Sequence, residues 1–136
     1  MNRYKPSSEA EQSYAADLAL AGRHAELLEA AGAAETEFRQ AQAGRAPDAE
    51  LRRLALALDS ALTDAMRAAW AVQRAAIGVR GYDDRIYRRK AKAKPHIHAL
   101  TADAERLLTL RETHRVNDIP AVTFEPSPPI AQISKA

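Results

Sequence analysis

Residues 48–77 read DAELRRLALALDSALTDAMRAAWAVQRAAI, and the apolar positions of this stretch decide the fold. Leucine, alanine and valine recur at intervals of three or four residues, the heptad spacing of a helix that buries one side against other helices. The positions of this seam are Leu51, Leu54, Leu58, Leu62, Ala65, Ala69, Val72 and Ala76. The pattern predicts one long helix over about residues 48–77.

A second long helix is predicted immediately before it, over about residues 8–43. Ser8 and Glu11 have the spacing of a capping box, in which each side chain satisfies a free N–H group of the first helical turn. A three-and-four apolar rhythm follows through the rest of this stretch. Gly22 and Gly32 each cost roughly 1 kcal/mol relative to alanine inside a helix, but we expect the helix to continue through both.

Turn signals along the chain set the order of the helices. Gly44 stops the first helix and Pro47 starts the next, which predicts a tight antiparallel hairpin. After a glycine-containing break, a third helix is predicted over residues 82–94. Pro95 breaks it, and an amphipathic stripe continues the helix over residues 96–115. The expected fold is all-α: a long, coiled-coil-like helical hairpin completed to a three-helix bundle by the broken third helix.

The last 21 residues differ from the helical part. Residues 116–136 have no helical period and carry four prolines, which are Pro120, Pro126, Pro128 and Pro129. We expect a single helical domain over residues 1–115, followed by an extended C-terminal arm.

Composition narrows the possible functions. Alanine fills 31 of the 136 positions, against one tryptophan, four tyrosines and two phenylalanines, so the buried seams are built from small side chains. The chain has no cysteine, which excludes disulfides, thiolate zinc sites and thiol nucleophiles. It shows neither a signal-peptide pattern nor an apolar run long enough to span a membrane, so we expect a cytoplasmic protein with no membrane contact.

Charge is divided unevenly along the chain. Residues 8–43 hold seven acidic and two basic side chains, whereas residues 78–94 hold seven basic and two acidic ones, although the net charge is only +2. The acidic first helix and the basic third segment can therefore attract one another, within one chain or between copies.

The basic segment contains a pattern that can bind phosphate. Four cations recur at i, i+3, i+4 and i+7, which places them on one face of a helix, and two tyrosines nearby can stack on bases. The residues concerned are Arg85, Arg88, Arg89 and Lys92, with Tyr82 and Tyr87. Two other interpretations stay open: the stripe pairs with the acidic first helix or a second copy, or it is only a solvated face.

Two histidines follow Pro95, but their spacing does not favour a metal site. His96 and His98 point to opposite sides of a helix, and only an extended segment joined by a third ligand such as Asp103 or His114 would bring them to one ion. We expect no metal and no cofactor.

Catalytic motifs are also missing from the sequence. It has no GxSxG motif, no glycine-rich phosphate loop and no recognisable Ser, His and Asp frame, and its carboxylates lie on helix surfaces. We therefore expect no catalytic residues, no enzymatic activity and no small-molecule substrate.

Contacts with a protein partner are predicted at three positions. Trp70, the single tryptophan, is either a core side chain or an anchor on a partner. Val122 and Phe124, in the arm, have the composition of a strand that adds to a neighbouring protein. We expect a protein partner or a homo-oligomer.

These observations predict a small, non-enzymatic helical subunit of a larger assembly. Its basic stripe would contact the backbone of a nucleic acid without reading the base sequence. The alternative is a protein-only binder, such as a phage virion adaptor, an inhibitor or a helical chaperone, whose basic stripe meets an acidic protein surface.

Overall fold

The computed structural model describes residues 3–119, and every regular element in this range is an α-helix. The predicted all-α class is therefore confirmed. In chain order the helices are α1 Ser8–Ala21, α2 His24–Ala43, α3 Asp48–Ile77, α4 Arg80–Asp83, α5 Arg85–Lys92 and α6 Pro95–Asp118.

Helix α3 is the centre of the structure, and its bounds coincide with the helix predicted from the heptad pattern. It contacts α1, α2 and α6, so its apolar seam is covered from several sides. Removing these apolar side chains from water stabilises the fold by about 25 cal/mol for each Å² buried. The buried part of the seam in the main core consists of Leu54, Ala55, Leu58, Leu62, Ala65 and Ala69.

Both long neighbours of α3 run antiparallel to it. Helix α2 reaches α3 through the short connection at residues 44–47. On the other side, Thr101 near the start of α6 accepts a hydrogen bond from Gln73 near the end of α3, at 3.1 Å. Arg115 near the end of α6 pairs with Asp59 in the first half of α3, at 2.6 Å.

The helix predicted over residues 8–43 is interrupted, which corrects the expectation that it is continuous. The N–H of Arg23 donates to the carbonyl of Leu20, only three residues back, and Arg23 has φ −96° and ψ 0°. This tight turn ends α1 beside Gly22, a residue of low helix propensity. Gly32, in contrast, remains inside α2.

The segment predicted as a helix over residues 82–94 forms two short helices. Asp84 separates α4 from α5 with an extended backbone of φ −126° and ψ 104°. Gly78, which ends α3, has φ 103°, a conformation that glycine adopts without the steric cost other residues incur. The chain thereby turns back and lets α6 return along α3.

Helix α6 begins with Pro95 at its first position and continues to Asp118, three residues beyond the predicted end. Residues 116–118 therefore belong to a helix and not to the predicted arm. The rest of that arm, with Val122 and Phe124, lies outside the described residues apart from Ile119, which is buried.

Candidate nucleic-acid interface

Helix α5, which carries the predicted basic stripe, is fixed at both ends. At its start the Asp84 carboxylate accepts the N–H of Tyr87 at 2.9 Å, and this hydrogen bond is the main reason that the pKa of Asp84 lies below its usual value. Near its end Ala91 is buried in a small cluster with Ile77 and Ile97. Eight residues are too few for a stable helix in isolation, so these contacts hold α5 in place.

Arg88, one of the four predicted cations, bonds to the backbone within the fold. Its side chain is partly buried, and Nη1 donates to the carbonyl of Gly81 at 2.8 Å. Gly81 itself packs closely on α3, because a Cβ there would lie 2.6 Å from Cγ2 of Ile77. Arg88 thus faces the inside of the turn and not the solvent.

The other three predicted cations, Arg85, Arg89 and Lys92, are exposed, and so is Lys90. Within residues 3–119 these four side chains form no ion pair and no hydrogen bond. Eight arginines elsewhere do have an acidic partner, namely Arg23, Arg39, Arg53, Arg74, Arg80, Arg106, Arg111 and Arg115. The outer face of α5 therefore has cations that the described part of the chain does not neutralise.

Tyr82 is placed as a structural side chain. Its hydroxyl donates to Asp17 of α1, and its ring meets Tyr14 edge-on with the centroids 6.1 Å apart. Asp17 also accepts from Arg74 of α3, at 2.8 Å. Burial opposes ionisation of Asp17, but hydrogen bonds from Arg74 and Tyr82 outweigh it and lower its pKa.

The same contacts change the pKa of Tyr82. Burial and the hydrogen bond to Asp17 both raise the pKa of Tyr82 well above its usual value. The phenol is therefore held neutral between α1 and α3. Tyr82 is partly buried, with its ring against Tyr14 and its hydroxyl bonded to Asp17, so it contributes to the packing of α1 on α4.

Tyr87 is the more accessible of the two predicted tyrosines, with 37% of its surface exposed. The guanidinium carbon of Arg80 lies 4.9 Å from the centre of its ring and 5.3 Å from the ring of Tyr4. Arg80 thus makes cation–π contacts with both tyrosines. These contacts bring the N-terminal segment next to α5.

Asp83 attaches the N-terminal segment directly. Its carboxylate accepts from the hydroxyl of Tyr4 at 2.6 Å, and from the N–H and hydroxyl of Ser7 at 2.9 and 2.6 Å. The hydrogen bonds from Ser7 and then Tyr4 lower the pKa of Asp83. Burial and the bond to Asp83 raise the pKa of Tyr4 to about 12.

The attachment involves a residue that local sequence reasoning passed over. Ser7, and not Ser8, caps α1: its hydroxyl accepts the N–H of Ala10 at 3.0 Å. No short-range pattern links Ser7 to Asp83, since 76 positions separate them. Only the three-dimensional packing shows that this segment borders the basic face.

An open groove of about 600 Å³ lies where these parts meet. Its lining combines cations with apolar surface, and Ile86 is 69% exposed there although its neighbours are charged. The residues around the groove are Tyr4, Asp83, Asp84, Arg85, Ile86 and Arg89.

The predicted partner residues are distributed differently. Trp70 is partly buried and packs against the main core, in line with the core interpretation. Three other large apolar side chains are exposed: Leu18 at 48%, Leu110 at 47% and Val116 at 67%. These leucines and this valine are candidate contacts for a protein partner.

Within residues 3–119, His114 and Asp118 are in direct contact, an arrangement that can act as an acid–base pair in some enzymes. Nδ1 of His114 lies 2.8 Å from Oδ2 of Asp118. Its Nε2 lies 2.8 Å from the carbonyl of Ala55, an oxygen that can only accept, so this nitrogen carries a hydrogen and donates it. Because both nitrogens are engaged and the residue is 4% exposed, this pair does not offer a base to a substrate.

The two histidines after Lys94 do not belong to a cluster of metal-binding side chains within the described part of the chain. His96 and His98 are exposed residues in the first turn of α6. In residues 3–119, no cluster of three or more histidine, aspartate or glutamate side chains is arranged to bind a metal ion. Across that range, the helices also lack the combination of length and apolar character needed to cross a bilayer.

Comparison of the chain with protein-family models, with curated proteins and with solved structures found no match. The chemistry of the basic face is therefore the basis for assigning a function.

Proposed function

We propose that the protein is a small, non-enzymatic helical subunit of a larger assembly, and that the outer face of α5 contacts the backbone of a nucleic acid. One observation carries this proposal: Arg85, Arg89, Lys90 and Lys92 are exposed and have no acidic partner in residues 3–119. Arg85, Arg89 and Lys92 share one face of this helix. Unpaired cations on one face attract phosphates, and the displacement of counterions from the nucleic acid favours binding.

The length and side chains of α5 suit contact with the phosphate backbone of a nucleic acid and not with the edges of its bases. Eight residues of helix extend about 12 Å, which corresponds to roughly three phosphates along one strand. Long, flexible arginine and lysine side chains without an ordering partner give affinity but no base discrimination. Binding without sequence readout follows.

A place in a larger assembly is supported by the exposed apolar side chains. Leu18, Leu110 and Val116 are exposed and lie on α1 and α6. Single exposed leucines are ordinary on protein surfaces, but here they accompany an alanine-rich core that buries little area per residue. A protein partner or a second copy would cover them.

The proposal is tested by reversing charge on α5. The variant Arg85→Glu/Arg89→Glu should bind a single-stranded oligonucleotide at least about tenfold more weakly than the wild type at low salt, because two phosphate contacts become repulsive. Wild-type affinity should fall with a log–log salt slope of roughly −2 to −4, at about 0.7–0.9 per phosphate contact. Fluorescence anisotropy at several salt concentrations measures both quantities.

The matched control is Arg52→Glu/Arg67→Glu in α3. Both arginines are exposed and have no ion pair among the described residues. Because each variant replaces two arginines with two glutamates, the control has the same net charge as the α5 variant. We expect the control to bind nearly as well as the wild type. Equal losses in the two variants would show that net charge, and not the α5 face, governs binding.

A protein-only binder is the second candidate, and the exposure of Ile86 favours it. An isoleucine that is 69% exposed between cations also fits an acidic protein surface with an apolar centre. Purification from the native host with and without nuclease separates the two candidates. A partner complex that survives nuclease and contains no nucleic acid supports the protein-only binder.

A further inference from the structure

The groove beside α5 is closed on one side by the N-terminal segment. Asp83 receives three hydrogen bonds from Tyr4 and Ser7, each between 2.6 and 2.9 Å. The segment before α1 is therefore attached to α4, and Tyr4 becomes part of the groove.

This attachment places two further cations next to Tyr4 in the chain, outside the lining of the groove. Arg3 and Lys5 flank Tyr4 in the chain, are exposed, and have no ion pair within residues 3–119. Arg85 and Arg89 supply the cations of the α5 side. Phosphate groups would thus meet basic side chains from two separate segments.

The two acids of the groove are already engaged. Asp83 is bonded by Tyr4 and Ser7, and Asp84 accepts from the N–H of Tyr87 and lies 3.4 Å from Arg80. Asp84 lies beside the positive charge of Arg80, whereas Asp83 is held by neutral donors and keeps its negative charge. A bound phosphate is therefore expected on the α5 side of the groove, beside Arg85 and Arg89.

The apolar part of the lining has no use in contacting a phosphate backbone. Ile86 exposes 69% of its surface between Arg85 and the rest of the basic face, and Tyr4 contributes a ring on the opposite segment. In a duplex the flat faces of the bases are stacked on one another, whereas a single strand exposes them. An unpaired base fits this mixture of apolar and cationic surface.

We propose that the groove binds single-stranded nucleic acid in preference to duplex, with a base against Ile86 and Tyr4 and the flanking phosphates against Arg85 and Arg89. This inference rests on the proposed function, because it specifies the ligand of the same basic face.

The test compares one labelled oligonucleotide, single-stranded and annealed to its complement, in anisotropy titrations with the full chain. The wild type should bind the single strand at least about fivefold more tightly than the duplex. Ile86→Ala and Tyr4→Ala should each reduce single-strand affinity by a similar factor and leave duplex affinity unchanged. Leu56→Ala, at a leucine of α3 that is 43% exposed, is the matched control and should bind as the wild type does.

The outcomes separate the two levels of the proposal. Equal affinity for both forms, or unchanged binding by Ile86→Ala and Tyr4→Ala, overturns the groove inference while Arg85→Glu/Arg89→Glu still weakens binding. If neither form binds the wild type, or if the charge reversal has no effect, the proposed function fails and the inference fails with it. Circular dichroism of each variant verifies that helicity is retained, as expected for side chains outside the core.

Discussion

At the scale of single residues, Asp83 links the N-terminal segment to the basic face. It receives donors from Tyr4 and Ser7, and its pKa is lowered while that of Tyr4 is raised to about 12. The raised pKa of Tyr4 has a definite consequence for stability. The neutral phenol contributes stability fully below the unfolded pKa of about 10, and this contribution is lost as the pH rises through the folded value.

This coupling is tested with Asp83→Asn. We expect the late-ionising phenol of Tyr4 to titrate closer to a pKa of about 10, because the variant removes the negative charge that opposes its ionisation. The phenolate absorbance during an alkaline titration measures the change, and Tyr4→Phe identifies the band that belongs to this residue. An unchanged titration curve in Asp83→Asn would contradict the attachment of Tyr4 to Asp83.

Residue spacing alone does not distinguish Arg88, which bonds within the fold, from the exposed cations of α5. The i, i+3, i+4, i+7 rule correctly identifies residues near one another on the helix, but it does not show which way that face points. Arg88 is turned inward by the carbonyl of Gly81, and Tyr82 by Asp17, which is 65 positions away. Such long-range contacts leave no mark in the local sequence.

At the scale of elements, Gly22 and Gly32 show that a residue of low helix propensity can adjoin the end of one helix and be tolerated inside another. Gly22 lies beside the break between α1 and α2, whereas Gly32 stays helical inside α2 with no atom within 4 Å of its missing Cβ. The two glycines have similar intrinsic propensities. The turn at Arg23 lets α1 follow the second half of α3, where Asp17 reaches Arg74.

A stability measurement compares two glycines in opposite environments. Gly32→Ala should raise the free energy of unfolding by roughly 0.5–1 kcal/mol, because alanine is the better helix former and meets no neighbour. Gly81→Ala should lower it by about 1–3 kcal/mol, because the new Cβ would lie 2.6 Å from Cγ2 of Ile77. Urea denaturation of both variants measures the two changes. A destabilised Gly32→Ala would contradict the open environment of that position.

At the scale of the whole molecule, α3 contacts α1, α2 and α6, and its heptad pattern is strong enough to be recognised from sequence. The recurrence of leucine and alanine at intervals of three and four residues predicts the helix and its buried side, and the bounds Asp48–Ile77 coincide with that prediction. Less regular segments are harder to predict. The break at Arg23 adjoins Gly22, and Asp84 between α4 and α5 accepts the N–H of Tyr87, but the apolar pattern alone predicts neither break.

The distribution of ion pairs shows the same dependence on tertiary structure. Composition indicates that residues 78–94 are basic, but not that the acids of this segment are used internally. Asp83 and Asp84 bind Tyr4, Ser7 and Arg80, while Arg85 and Arg89 remain without an acid in residues 3–119. Within residues 3–119, the basic segment therefore keeps exposed cations on α5 that its own acids do not neutralise.

The most direct test of the central claim is a chemical-shift map of the isotope-labelled, wild-type chain titrated with a single-stranded oligonucleotide. If the groove binds a single strand, the shifts will be concentrated in residues 3–7 and 85–92, with little change in the amides along α2 and the first half of α3. No shifts, or shifts confined to the acidic surfaces of α1 and α2, would contradict that claim.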